Sequence, residues 1–556
     1  MHSFLLAVDE FKNVPVPFGI DSWVTFWLYF VIAFSNSLLL LLISYKYFQI
    51  LQLSGYNLKG LFAWFTDTKF KNYYLLIMLS FLSASCLLMT DVLLESFFKY
   101  RILTFIGLIF YIIFTAIFAR NQFETPQKTP LRYTKRMTRM CIIFCLLVFV
   151  ATFFLTTIQI KFSAIFVCIT PVFIPIFVIV AFLITAPLEL LINHYYVKKA
   201  MNVLNSRENP LIVIGITGSY GKTSCKNILS CLLSQRYKVC SSPYSYNTPM
   251  GLSKTILENL KDEHQILVCE MGAKCTGDIE YLTRMIKPTI GIITGIGNQH
   301  LASFGSIENL KNTKFELIEN LKKGGRAYFN CDTQGALELY DRAMCKKERT
   351  SLSDMNGKYF VDDIKTGEKG STFNLHLNGD SVKCSTILLG KHNVSNILLC
   401  SAVAYDLGLT KGEIREGIER LLPSSHRLAI VPSNNALVVL DDAFNASVEG
   451  SNAALEVLAS FSGRKFVVTP GLIELGTENF NANFEFGKNM AKVADEVIIV
   501  GVENRDAIFD GLIFGGFDEK NITNVGSLPQ ATTILEMHAK PHDVVLFEND
   551  LPDNYN

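Results

Sequence analysis

The chain has 556 residues, too many for one domain and enough for three or four. Half of them are hydrophobic and 18% are charged, a low share for a protein lying wholly in water. A formal net charge of +1 supplies no basic excess, so no nucleic acid is expected as a partner.

That average conceals two unlike halves. Before about residue 195, long apolar runs dominate; after it, the composition is that of an ordinary α/β protein. The runs cover roughly 23–45, 73–94, 103–119, 140–158 and 164–191. A hydrocarbon core of about 30 Å takes about 20 helical residues to cross, so five spans are expected. The last run holds Pro171, Pro175 and Pro187, which predicts a kink or tilt. Asp9 and Glu10 stand where a secretory leader carries positive charge, so no cleavable signal is expected.

Basic residues between the runs set the orientation. The first loop has Lys46, Lys59, Lys69 and Lys71, and the third has Arg120, Lys128, Arg132, Lys135, Arg136 and Arg139. The second has Lys99 and Arg101, and the fourth Lys161. Loops one and three therefore belong in the cytoplasm, the N-terminus outside, and residue 195 onward inside. Asp91, near the outer end of the second run, is either a buried functional carboxylate or one reaching the interface. The aromatic and lysine-rich stretch 55–72 reads as an interfacial element or a plain loop. The 13 cysteines form no CxxC pair, so no zinc site is expected.

In the second half, residues 211–214 read as a short buried strand, "GSYGKTS" as a turn and "CKNILSCLL" as a helix. Strand, glycine-rich loop and helix in that order make a phosphate site. Inward backbone N–H groups and the helix N-terminus draw anions. Thr217, Gly218, Ser219, Gly221, Lys222, Thr223 and Ser224 are the candidate lining. Lys222 would reach the β- and γ-phosphates of ATP, and the Thr223 hydroxyl would ligate Mg²⁺. The strict pattern has glycine six residues before the lysine; Ile216 stands there, beside Gly215.

"GITGSYGKTS" is similar to the ATP loop of the Mur ligase family, and seven further segments follow in that family's order. They are "SYNTPMGLSKTIL", "ILVCEMGAKCTGDI", "PTIGIITGIGNQHLASFGS", "NTKFELIENL", "LGKHNVSNILLCSAVA", "SSHRL" and "VLDDAFNASVEGS", with "TPGLIELG" beyond them. The resemblance covers about 205–550. It implies an enzyme in which ATP phosphorylates a carboxylate and an amine then displaces phosphate to form an amide. By the same resemblance Glu270 binds Mg²⁺, His300 a second Mg²⁺, and Lys314 is carbamylated. Asn393 and Asn396 meet adenine, Arg427 meets the γ-phosphate, and Asp442 and Asn445 lie on a loop closing over ATP.

These types suit the chemistry. A carboxylate and a phosphate repel each other, so cations must stand where they meet. Read without the family, the same residues keep plainer alternatives. His300 could be a strand-end residue satisfied by a hydrogen bond. Lys314 could be a surface lysine beside Glu316 and Glu319. Asp442 could be a turn acid.

The implied architecture is an N-terminal α-helical transmembrane bundle followed by two α/β domains. Residues 1–204 form the bundle, 205–420 a P-loop-type central domain, and 421–556 a Rossmann-like C-terminal domain. An antiparallel insert is expected at 357–389. The family's soluble members carry a UDP-sugar-binding domain where this chain has apolar runs. Members that add D-alanyl-D-alanine end their last strand in a basic Lys-Gly-Ser-Arg-type stretch; here "DVVLFE" runs into the acidic "NDLPDNY". Ser447-Val448 also replaces an Asn-Pro.

The expected function is therefore ATP- and Mg²⁺-dependent amide ligation on the cytoplasmic face of the inner membrane. The carboxylate would sit on a nucleotide- or lipid-linked peptide, and the amine would be D-alanyl-D-alanine or a relative. A ligase for a capsule or storage polyamide such as poly-γ-glutamate is the alternative. A nucleotide-gated transporter lacks the strand-borne Asp-Glu pair and second signature loop it would need. A degenerate scaffold is opposed by the intact Lys222, Thr223, Glu270 and His300.

Overall fold

A computed structural model describes residues 23–66, 68–93, 102–124, 130–158, 163–297, 304–424, 426–431, 437–443, 447–473, 475 and 478–549. His300, Asn445 and the acidic tail after Asn549 lie outside the described residues, as does the side chain of Asp91. The chain divides into two compact units, the first ending at Ile192 and the second beginning at Asn193.

The first unit is helical: α1 (Trp23–Ile43), α2 (Tyr45–Leu53), α3 (Leu58–Thr66), α4 (Thr68–Leu93), α5 (Ile102–Glu124), α6 (Lys135–Ile158) and α7 (Ser163–Ile169). A 3-10 turn at Thr170–Phe173, with Pro171 in its first turn, leads into α8 (Ile174–Asn205). Pro187 sits inside α8. Among the described residues three helical stretches are long and apolar enough to cross a membrane: Phe26–Ile43, Lys135–Thr157 and Val167–Asn205. The apolar parts of α4 and α5, Tyr73–Cys86 and Ile106–Arg120, are shorter. Helices thus occupy all five expected places, and three of them meet the length that a span requires.

Several polar side chains inside this unit pair across helices. The Asn36 side-chain amide donates to Thr152 Oγ1 and Thr170 Oγ1, both at 3.0 Å, and its carbonyl accepts from the Tyr111 hydroxyl. Arg139 Nε and Nη2 both reach Glu189 Oε1 at 2.6 Å, tying α6 to α8. The stretch read as an interfacial element or loop is mostly α3 and the start of α4. Its Trp64, Phe65 and Phe70 rings surround the buried Tyr47, while Phe62 stays exposed.

The second unit begins with a parallel sheet in the order β2-β3-β1-β4-β5-β6. Its strands are β1 (Ile212–Thr217), β2 (Val239–Ser241), β3 (Ile266–Glu270), β4 (Ile290–Ile293), β5 (Arg326–Asn330) and β6 (Lys346–Thr350). Runs such as "ILVCE" and "IGII" carry no alternation because helices cover both sheet faces, and both strands are buried throughout. The helices include α9 (Lys222–Leu233), α10 (Pro249–Lys254), α11 (Asp278–Ile286), α12 (Ile307–Glu319), α13 (Gln334–Arg342), α14 (Lys391–Asp406) and α15 (Lys411–Glu419). β1 lies between β3 and β4, where the strand order reverses and open α/β sheets place their ligands. Gly215 proves to be a strand residue: a Cβ there would stand 2.9 Å from Leu317 Cδ1 of α12, so it serves packing rather than the phosphate loop.

The stretch expected as an antiparallel insert forms β7 (Tyr359–Gly367), β8 (Gly370–Leu377) and β9 (Asp380–Thr386), a three-stranded antiparallel sheet. A second six-stranded sheet follows in the order β10-β11-β15-β12-β13-β14. It comprises β10 (Ala429–Val431), β11 (Val438–Asp442), β12 (Lys465–Thr469), β13 (Glu496–Val500), β14 (Ile522–Val525) and β15 (Val544–Glu548). β10 is antiparallel to β11 and the other pairings are parallel. Helices α16 (Val448–Ala459), α17 (Asn479–Met490), α18 (Arg505–Phe514) and α19 (Leu528–His538) complete the domain.

Candidate active site

The turn after β1 runs straight into α9. Gly221 caps that helix with φ +77°, a conformation a side chain resists, and a Cβ there would press on Asn396 Oδ1 at 3.0 Å. Ser219 N–H donates to Gly295 O at 2.8 Å and its hydroxyl to Gly297 O at 3.1 Å, which ties the loop to the segment after β4. The Thr217 hydroxyl donates to Met271 O at 3.1 Å, fixing the loop's other flank. Lys222 bends back over the loop, with Nζ 2.8 Å from Gly218 O and 2.7 Å from Ser219 O.

Glu270, at the C-terminal end of β3, faces this turn. Thr223 donates to its Oε2 at 2.8 Å and Asn247 Nδ2 to its Oε1 at 3.1 Å. A hydroxyl and a carboxylate give an all-oxygen donor set, which fits Mg²⁺. Asn247 belongs to a segment the sequence singled out, but its contact with Glu270 appears only in three dimensions.

Three cations converge here, Lys314 buried and Lys222 and Arg427 half-buried. Burial pushes the Lys222 ammonium down to about 8, with Glu270 opposing the shift and Arg427 adding to it. Burial pushes Lys314 down to about 7, with the charge of Lys222 next in importance. Burial also lowers Arg427, against the pull of Asp442 and Glu270. Lys314 is 3% exposed, so the plain surface-lysine alternative fails. Glu316 does not pair with it either: its two oxygens accept from the backbone N–H groups of Gly277 and Glu280, both at 2.8 Å.

The two asparagines separate in role. Asn396 Oδ1 accepts from Cys225 Sγ at 3.3 Å and lies against Gly221, so it braces the loop. Asn393 Nδ2 donates to Leu389 O at 2.9 Å, and its residue lines a cleft of about 340 Å³. That cleft lies between α9 and the segment joining the domains, with Ser224, Asn227, Leu422, Ser424 and Arg427 also on its walls. Asp442 ends β11, takes a 3.1 Å hydrogen bond from Leu428 N–H, and is pushed up to about 6 by burial against the pull of Arg427. It is thus linked to the arginine segment rather than being a turn acid alone.

Comparison with known proteins decides the lineage. Residues 216–404 match the Mur ligase middle domain, and 426–548 match the Mur ligase glutamate ligase domain. The chain belongs to the Mur ligase family. A UDP-N-acetylmuramoyl-tripeptide–D-alanyl-D-alanine ligase of Buchnera aphidicola is 30% identical over 298 residues, 52% of this chain and 65% of the relative. The enzyme of that name from Bacillus subtilis is 30% identical over 266 residues, 48% of this chain and 57% of the relative. The chain therefore spans about three fifths of the length of these curated relatives. Among solved structures, the MurF ligase of Thermotoga maritima in complex with ADP superimposes with a TM-score of 0.58 at 26% identity, covering 64% of this chain and 80% of that one. This Mur ligase keeps the family's middle and C-terminal domains, both within its second unit.

Proposed function

We propose that this Mur ligase is an ATP-dependent amide ligase that works through an acyl phosphate in peptidoglycan precursor synthesis. The observation that carries this reading is the convergence of buried Lys314 and half-buried Lys222 and Arg427 on the Thr223–Glu270 pair, at the C-terminal end of β1. The peptide ligases it resembles in sequence and the ADP complex it resembles in fold support it.

The residues divide the work as follows. The N–H groups of the loop 218–223 face phosphate oxygens, and Lys222 exchanges its two carbonyl contacts for the β- and γ-phosphates. Ser224 and Asn393 border the cleft that takes the nucleoside, and Asn396 keeps Gly221 in place. Thr223 and Glu270 would hold Mg²⁺, which when bound offsets the charge shared by the β- and γ-phosphates. Arg427 enters from the segment joining the domains and stabilises the transferring phosphoryl group. The substrate carboxylate attacks the γ-phosphorus, ADP leaves, and the acyl phosphate stays under the C-terminal domain, out of water. The incoming amine then attacks the acyl carbon and releases phosphate.

Lys314 is neutral for much of the time near pH 7, and a neutral amine is what reacts with CO₂ to give a carbamate. A carbamate would spread one negative charge over two oxygens, and by the family resemblance it would join His300 in holding a second Mg²⁺.

The apolar helices anchor the enzyme to the cytoplasmic membrane with the ligase domains inside. The acyl substrate is a lipid-linked peptide presented at that surface, and the amine that accepts the acyl group is D-alanyl-D-alanine or a close relative. Purified full-length protein in detergent or nanodiscs tests the reading through ADP release with D-alanyl-D-alanine and either UDP-MurNAc-tripeptide or its lipid-linked counterpart. Turnover with the lipid-linked peptide is expected to be higher. Preference for the soluble peptide would remove the lipid part, and turnover with neither would remove the ligase reading.

A further inference from the structure

The C-terminal domain sends one carboxylate toward the phosphate loop that no step above uses. Ser447 caps the start of α16, its hydroxyl accepting from Gly450 N–H at 2.9 Å. Glu449 lies in that first turn and leans over Gly297. A Cβ on Gly297 would stand 2.6 Å from Glu449 Cδ and 2.7 Å from Oε2, so the carboxyl group fills the space a side chain at 297 would take. Gly297 is the residue whose carbonyl accepts from Ser219 of the phosphate loop. Tyr220, the next residue of that loop, packs its ring on Gly295 and carries a phenol pushed up by burial and then by the charge of Glu449.

Glu449 Oε2 is enclosed, yet it has no hydrogen-bond partner among the described residues. Enclosing a carboxylate oxygen without a donor is costly, so a donor is expected to arrive with something that binds. The proposed reaction brings one such donor to this place. An α-amine has an ordinary pKa of about 8 and reaches the enzyme largely as an ammonium ion, which cannot attack. It needs an anion to bind it and a base to take one proton, close to the acyl phosphate but clear of its negative charge. Glu449 meets both needs from the domain opposite the phosphate loop.

We propose that Glu449 binds the ammonium group of the incoming amine and accepts its proton as the nitrogen attacks the acyl carbon. This rests on the ligase reading above. One N–H proton passes to Glu449 Oε2 and frees the nitrogen lone pair. The C–N bond forms, and the bond from the acyl carbon to the phosphate oxygen breaks with its electron pair. The departing phosphate takes the second N–H proton. The products are a neutral amide, hydrogen phosphate and a protonated Glu449, which returns its proton to water.

The test compares two nucleophiles on one acyl phosphate. Full-length enzyme is given ATP and the peptide carboxylate it turns over, with either D-alanyl-D-alanine or hydroxylamine, which is uncharged at neutral pH and needs no ammonium site. In Glu449→Gln the ratio of amide to hydroxamate is expected to fall about 100-fold or more, the range of a lost general base. Its amide rate should climb with pH toward 9 as the free amine becomes neutral, which a packing role would not cause. Gly297→Ala displaces the carboxylate and should lower the same ratio. An unchanged ratio in Glu449→Gln, or an equal fall of both products, would overturn the proposal. Absence of hydroxamate from the wild-type enzyme would instead overturn the ligase reading beneath it.

Discussion

The second unit holds two six-stranded sheets with the same scaffold and opposite buried charge. The central sheet ends beside Lys222 and Lys314, two amines whose pKa values burial lowers. The C-terminal sheet ends in Asp442 and Glu548, register partners on β11 and β15, and burial raises both acids. Glu548 is held by a 2.6 Å hydrogen bond from the Ser451 hydroxyl. Arg427 belongs to both, feeling Asp442 on one side and Glu270 on the other. The strand ends of one sheet are thus prepared to hold anions, while those of the other, supplied with acids, place a single guanidinium.

This contrast can be broken from either side. The largest effect is expected for Lys222→Ala, which removes the cation in the loop and should lower ATP turnover by about 10³-fold or more, measured as phosphate release. Arg427→Ala should lower kcat by about 10²-fold while nucleotide affinity, read by calorimetry, falls much less, because the arginine acts on the transferring group. Arg427→Lys should recover little, since an ammonium cannot reproduce the planar fork. For Lys314, bicarbonate added to CO₂-depleted enzyme should raise activity severalfold, and a ¹³C-bicarbonate NMR signal in the carbamate range should vanish in Lys314→Ala.

The smallest effect concerns Asp442. Its folded pKa of about 6 lies above the ordinary 3.8, so the folded state binds a proton that the unfolded state has already lost. Stability from this group is present at low pH and lost as pH rises from about 4 to about 6. Asp442→Asn should flatten that decline, shifting the thermal midpoint upward by a few degrees at pH 7 relative to pH 4.

Much of the phosphate end was legible in the sequence because residue type and chain spacing alone define it. A strand followed within six positions by two glycines, a lysine and a threonine leaves few alternatives, and β1 and α9 fall where those residues put them. Lys314 was not legible in this way. "NTKFELIEN" has the spacing of a solvated helix with i,i+2 and i,i+5 acids, and only packing against the sheet shows that the lysine is buried and that Glu316 serves the backbone of Gly277 and Glu280. Glu449 was missed altogether. Its partners Gly297 and Tyr220 are more than 150 positions away, and nothing local marks a glutamate in a helix's first turn as unusual. In the first unit, hydropathy marked the helices, but apolar length separated α1, α6 and α8 from the shorter runs in α4 and α5.

The amide of Asn36 has a consequence of its own. Three hydroxyls from α5, α6 and the turn after α7 all depend on this one side chain. If lipid surrounds the bundle, no solvent stands ready to replace it, so sliding any of these helices by a residue would strand several dipoles at once. Asn36→Leu should leave the helices formed but free to settle in more than one alignment, visible as broadened methyl resonances and faster cleavage by protease.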